Sequence, residues 1–185
     1  MRKLILQMQT SIDAYVAGPE GEMDWMQWNW DTPLQNFVTN LTERIDTILL
    51  GRKLADGFIP HWKSVSENTE DPENKSGIFF HQTPKIVFSK TMEKHTWEHT
   101  EICREELRQA VHRIKNSVGK DIIVYGGAEF VSNLIEQNLI DEYYLFVNPT
   151  ALGNGIKIFH TKIQMTLEES TAFECGIVVN RYRPC

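Results

Sequence analysis

Apolar positions along this chain follow two rhythms. Short, nearly unbroken apolar runs at Lys3–Met8, Thr47–Leu50, Ile86–Phe88, Ile122–Val124 and Tyr143–Val147 predict strands, and their lack of alternation predicts strands covered on both faces. Between them lie stripes at helical spacing: Leu34, Phe37, Val38, Leu41 and Ile45; Leu107, Val111, Ile114 and Val118; Phe130, Val131, Leu134, Ile135 and Leu139. Thr32 is read as the cap of the first helix, with Pro33 at its first position and Gln35 closing a capping box, and Gly119 ends the second. Strands separated by helices predict an α/β fold with a mostly parallel sheet flanked by helices. The tail alternates from Met165 to Cys175 and again from Ile177 to Tyr182, which predicts an antiparallel hairpin at one edge of that sheet. Ser64–Gly77 is polar and pattern-free, so it is read as a surface insertion in a single domain spanning residues 1–185.

Composition narrows the function. An apolar content of 41% suffices for a sizeable core, and a formal charge of -6 argues against a nucleic acid or an anionic membrane as partner, so any anion site has to be local. The opening MRKLILQMQTSID contains neither a signal-peptide core nor a membrane span, so a cytoplasmic protein is expected. Cys103, Cys175 and Cys185 fit neither a disulfide framework nor a metal-ligand spacing.

The candidate chemistry sits where strands end. In a parallel sheet, ligands bind beyond the carboxyl ends of strands, where the next helix offers unpaired N–H groups and a partial positive charge. Gly126 and Gly127 fall at such a junction, and without Cβ atoms they would let a phosphate approach the backbone; a tight turn with close packing accounts equally well for the pair alone. Leu50-Gly51-Arg52-Lys53 adds a second junction with two cations, and Phe88-Ser89-Lys90-Thr91 a third with a hydroxyl and a lysine. Neither G-x-G-x-x-G nor G-x-x-x-x-G-K-S is present, yet three such strand ends point to a ligand with several phosphates.

Other motifs carry less. His95-Thr96-Trp97-Glu98-His99 fits H-x-x-E-H, but Thr96, Trp97 and Thr100 favour extended chain over the helix that zinc chemistry needs, and no third ligand is evident, so no metal is expected. Trp25, Trp28 and Trp30 could stack on a flat heterocycle, although a core edge or subunit contact is the commoner role. Asp13 is the first choice for substrate contact or proton delivery, with Asp31 as the alternative and Tyr15 and Asp24 facing the same cleft; loop aspartates more often cap turns.

Taken together, Thr10-Ser11-Ile12-Asp13 with Gly18, Leu50-Gly51-Arg52-Lys53 with Trp62, Phe88-Ser89-Lys90-Thr91, and the series from Tyr125-Gly126-Gly127 through Ile140-Asp141-Glu142 to Asn148-Pro149, Leu152-Gly153, Gly155 and Phe159 give a resemblance over nearly the whole chain. The sequence resembles the dihydrofolate-reductase-like superfamily, most closely the reductase domain of bacterial riboflavin biosynthesis and its single-domain relatives. The resemblance implies NADPH as cofactor, with Gly51, Arg52 and Lys53 near its phosphates, Ser89 and Lys90 near the adenosine 2′-phosphate, and Gly126, Gly127, Ala128 and Glu129 along the pyrophosphate and nicotinamide. It implies hydride transfer to a pterin, an aminopyrimidine or a ribosylaminopyrimidine-like substrate, a homodimer, and a structural turn at Gly153 and Gly155. Dihydrofolate reductases carry an acidic residue near the start of the first helix where this chain has Gln35, so dihydrofolate is a poor candidate unless Asp31 restores the carboxylate. A non-catalytic NADPH-binding or regulatory module is the alternative on the same fold.

Overall fold

The computed structural model describes residues 1–185. In chain order the elements are β1 (Leu4–Thr10), α1 (Thr32–Thr42), β2 (Ile45–Gly51), α2 (Arg52–Glu67), α3 (Asn74–Gln82), β3 (Lys85–Phe88), β4 (Thr100–Cys103), α4 (Leu107–Asn116), β5 (Asp121–Val124), α5 (Ala128–Glu136), β6 (Glu142–Val147), β7 (Met165–Ala172) and β8 (Val178–Pro184). All eight strands join one sheet in the order β4-β3-β2-β5-β1-β6-β8-β7. The pairs from β4 to β6 are parallel, and β8 runs antiparallel to both β6 and β7. This is the expected α/β architecture with its antiparallel edge hairpin.

Period-two alternation divides the strands between two cores. Leu4, Leu6, Leu49, Ile122 and Val124 pack on one face with Val111 and Ile114 of α4 and Val131, Leu134 and Ile135 of α5. Ile5, Ile48, Leu50, Ile123 and Phe146 pack on the other with Leu34 and Leu41 of α1 and Ala55 and Ile59 of α2. Both side-chain sets of the central strands are therefore dry, which is why those strands read as unbroken apolar runs. Leu49 and Ile123 are fully buried, and truncating either to alanine costs about 2–5 kcal/mol.

Several local expectations are corrected. Asp31, not Thr32, caps α1: the Leu34 N–H donates to its carboxylate at 2.9 Å, while the Gln35 amide donates to the Trp30 carbonyl at 2.9 Å and closes no capping box. Ile45 belongs to β2 and not to the helical stripe. Ser64–Gly77 is no insertion but the end of α2, a short loop and the start of α3. The Asn74 side chain donates to the carbonyls of Val65, Ser66 and Asn68 at 3.2, 3.1 and 2.9 Å and ties the two helices together. Val118 lies beyond the end of α4 and is fully exposed. Strand β4 was not foreseen; its pairing with β3 forms the sheet edge opposite the hairpin.

Candidate functional site

Strands β3, β2, β5, β1 and β6 are neighbours and parallel, so their carboxyl ends form one continuous rim. Helix α2 starts directly from β2 at Gly51, and α5 starts from β5 through Tyr125, Gly126 and Gly127. Gly51 and Gly127 are the N-caps, and neither helix has a side-chain cap. Two helix N-termini on adjacent strands thus present first-turn N–H groups that the helices themselves cannot pair, each with its share of positive dipole. Gly126 has φ 148° and Gly127 φ 44°, conformations that side chains other than glycine rarely adopt. A Cβ at Gly126 would meet nothing nearer than Leu54 at 3.6 Å, so the pair is required by backbone conformation and not by crowding.

The expected cations gather here. Lys53 Nζ lies 3.4 Å from Glu129 Oε2 and bridges the first turns of α2 and α5, and Arg52 pairs with Asp56 one turn along at 3.0 Å. The Phe88 and Phe130 rings, 5.1 Å apart, bring the end of β3 against α5, so Ser89 and Lys90 join the same rim. Lys90 is exposed and makes no ion pair. The Ser89 hydroxyl is buried and accepts from the Met92 N–H at 3.0 Å, which fixes the turn and leaves the hydroxyl proton free to donate. Ala128 and Glu129 open α5, and the Glu129 carboxylate, repelled by a phosphate, suits a ligand hydroxyl. Beside this rim a groove of about 620 Å³ runs between α5 and the 155–160 segment, lined by Glu129, Ser132, Asn133, Lys157 and His160. Gly155 on its wall is a packing residue, because a Cβ there would sit 2.3 Å from the Ala17 carbonyl oxygen.

On the other half of the rim both candidate acids are occupied. Asp13 accepts from the Ser11 hydroxyl at 2.6 Å and from the N–H groups of Leu152 and Gly153 at 3.1 and 2.7 Å, and these bonds hold it at about 2. Asp31 accepts from Leu34 and from the Cys175 N–H at 2.9 Å, and the helix cap bond above all keeps its pKa below the usual carboxylate value. In this structure both carboxylates act as clamps between loops. Asp13 locks the loop after β1 to residues 152–153, and Asp31 locks the start of α1 to the hairpin turn.

Asn148, at the end of β6, is the positioning residue that sequence reasoning left without a role. Fully buried, it accepts from the Gln27 N–H at 2.8 Å and donates to Gln9 Oε1 at 2.8 Å, tethering the tryptophan-rich loop over the rim. Its signal in the sequence is an Asn-Pro pair that ends an apolar run. Within the loop Trp30 is core edge: its indole N–H donates to the Gln27 carbonyl at 2.8 Å and its ring lies 6.2 Å from Phe146. Trp28 stacks on Trp30 at 6.3 Å and remains 60% exposed, so its outer face is open to solvent.

The model of the family described as the RibD C-terminal domain matches residues 2–179. The uncharacterised protein YyaP of Bacillus subtilis is 30% identical over 182 residues, covering 96% of this chain and 92% of that protein. Among solved structures, a Shewanella sp. PV-4 protein ascribed to riboflavin biosynthesis aligns with a TM-score of 0.71 at 22% identity, covering 100% of this chain and 99% of that one. The diaminohydroxyphosphoribosylaminopyrimidine deaminase/5-amino-6-(5-phosphoribosylamino)uracil reductase of Thermotoga maritima aligns with a TM-score of 0.71 at 16% identity. All of this chain is covered but only 57% of that protein, so the likeness is to one part of it.

Proposed function

Because the chain belongs to the RibD C-terminal domain family, we propose that it is a reductase that uses NADPH to reduce a small planar or carbonyl-bearing molecule of the aminopyrimidine or ribosylaminopyrimidine class. The observation that carries this reading is the pair of uncapped helix N-termini, α2 after β2 and α5 after β5, on adjacent strands, with the Gly126–Gly127 turn leading into α5. The fit is chemical as well as steric: bare backbone in a left-handed turn, unpaired N–H groups and three cations at one rim of an otherwise acidic protein are what a phosphorylated dinucleotide needs.

In this reading the first-turn N–H groups of α2 and α5 bind pyrophosphate oxygens, and Arg52 and Lys53 neutralise them. Ser89 and Lys90 hold the adenosine 2′-phosphate by one donated hydrogen bond and one point charge. Bound there, the reduced nicotinamide supplies the hydride. Trp28 offers its face to the flat substrate, while Asn148 and Asp13 hold the loops that shape the cleft and keep water out. With Asp13 and Asp31 committed to loop contacts, this reading takes the proton that completes the reduction from solvent. Gln35, turned back onto the Trp30 carbonyl, supplies no acid for dihydrofolate. The proposal includes a cytoplasmic location and a homodimer, the second of which light scattering of the purified chain tests directly.

The two occupied carboxylates favour one second reading, a module that binds NADPH without turning it over. Calorimetry with NADPH, followed by absorbance assays against a pterin and aminopyrimidine panel, separates the two. Binding with turnover supports the reductase, binding without turnover of any acceptor supports the module, and no heat with any pyridine nucleotide overturns both.

A further inference from the structure

Three groups able to ligate a metal meet at the outer corner of the sheet, at its amino-terminal rim and away from the glycine turn. His81 lies in the last turn of α3, and Glu98 and His99 form the turn that enters β4. One ligand atom from each lies within 4.8 Å of the others. His95, the other histidine of the H-x-x-E-H stretch, takes no part: its Nδ1 accepts from the Trp97 N–H at 3.2 Å. The grouping is therefore not the one that the local motif suggested, and its third member comes from a different element.

A single buried residue holds both pieces. The Lys85 ammonium donates to the carbonyls of Phe80, His81 and Thr83 at 2.8, 2.8 and 2.7 Å, pinning the end of α3. The main-chain N–H of the same Lys85 donates to the His99 carbonyl at 2.8 Å. His99 has φ 50°, a left-handed conformation uncommon outside glycine though histidine adopts it more readily than most, and this bond and the β3–β4 pairing keep it in place. The His81 ring is largely buried, and its Nδ1 has no hydrogen-bond partner.

The spacing suits a small cation. His81 Nε2 and Glu98 Oε2 are 3.5 Å apart, and two ligands on one tetrahedral zinc with bonds of about 2.1 Å stand roughly 3.4 Å apart. His99 is exposed, and Glu98 is reachable from solvent. Lys63 on α2 bonds Glu98 Oε1 at 2.6 Å, which orients the carboxylate with Oε2 toward His81 but places a like charge beside the ion. We infer that His81, Glu98 and His99 form a binding site for a first-row divalent cation, Zn²⁺ by ligand chemistry, with a fourth position open to water. Two imidazoles and one carboxylate favour zinc over the oxygen-seeking Mg²⁺ and Ca²⁺. Such an ion would join α3 to β4, the four-residue edge strand whose outer side has no neighbour.

The test is titration of the metal-free full-length protein with Zn²⁺ by calorimetry, and with Co²⁺ followed by the visible absorption of a four-coordinate ion. The expected result is one equivalent bound with a raised unfolding temperature, and weakening by at least about tenfold in both His81→Ala and His99→Ala. Lys63→Met removes the opposing charge and tightens binding, an outcome that a misfolded variant could not produce. Absence of binding, or equal binding by the wild type and the His81→Ala/His99→Ala double variant, overturns the site.

Discussion

The two rims of the sheet are built to opposite plans. At the amino-terminal rim nearly every charge has an answer: Arg2 meets Asp46, Lys3 meets Glu142, Arg44 reaches Asp121 at 2.7 Å, and Lys115 reaches Asp141 at 2.6 Å. Arg2 also donates to Thr47 and Ser117, and Asp141 accepts from the Leu4 N–H. At the carboxyl-terminal rim two helices begin without side-chain caps, a glycine pair bares the backbone, and the exposed Lys90 makes no ion pair. Polar groups that are fully paired hold a structure and have nothing left for a ligand; groups left unpaired at helix starts are a binding capacity. The contrast sets the open helix starts of the carboxyl-terminal rim against the closed charge network at the amino-terminal ends of β2, β5, β1 and β6; the exception on the amino-terminal side is the corner at β3 and β4, where His81, Glu98 and His99 meet.

That separation breaks most sharply at Gly127. Valine there has to take a left-handed conformation or carry the start of α5 away from it, and either outcome closes the approach to the helix N-terminus. NADPH affinity should fall by about a hundredfold or more while the circular dichroism spectrum and cooperative unfolding persist. Loss of the fold together with binding would show that the turn serves packing alone.

The opposite substitution belongs at Glu142. Burial pulls its carboxyl up, but Lys3, Arg181 and Arg44 outweigh that and hold it below the usual range. A depressed carboxylate contributes stability that is present above its unfolded value and lost as pH falls through the folded one. The contribution should therefore disappear on acidification below about pH 4.5. Glu142→Gln leaves three cations facing an amide and should cost about 2 kcal/mol, the modest end for a buried cluster because Lys3 and Arg44 keep contact with water. Denaturant midpoints at neutral and acid pH should show the gap between wild type and variant closing in acid, with NADPH affinity unchanged throughout.

How much of this was legible beforehand depends on the range of the causes. The apolar runs of β1, β2, β5 and β6, the stripes of α4 and α5, and the terminal hairpin announce themselves because their signals are local periodicities. Helix α2 does not, since Gly57 and Pro60 interrupt its pattern and only burial of Ala55 and Ile59 against the sheet decides it. The glycine junctions were readable because strand end, glycine and helix start are neighbours in sequence. The two aspartates were not: Asp13 is fixed by Leu152 and Gly153 and Asp31 by Cys175, partners that only the folded chain brings near. His81 escaped notice for the same reason, as its companions lie across a strand.

The smallest expected effect asks what kind of binding the open rim provides. If backbone N–H groups carry most of the affinity and side chains mainly select the phosphorylation pattern, then removing an exposed cation should matter far less than closing the glycine turn. An exposed charge pair gives about 0.2–1 kcal/mol, a factor of about five at most, and is screened by salt. Lys90→Ala should therefore weaken NADPH by no more than about fivefold, leave NADH unchanged, and lose its effect as ionic strength rises. Arg52→Ala, whose guanidinium already shares itself with Asp56, should weaken both nucleotides alike, because the phosphates it meets are common to the two. Parallel titrations of both nucleotides at low and high salt decide the matter. An equal loss of NADH and NADPH in Lys90→Ala would move the 2′-phosphate away from β3 and leave only the shared pyrophosphate at this rim.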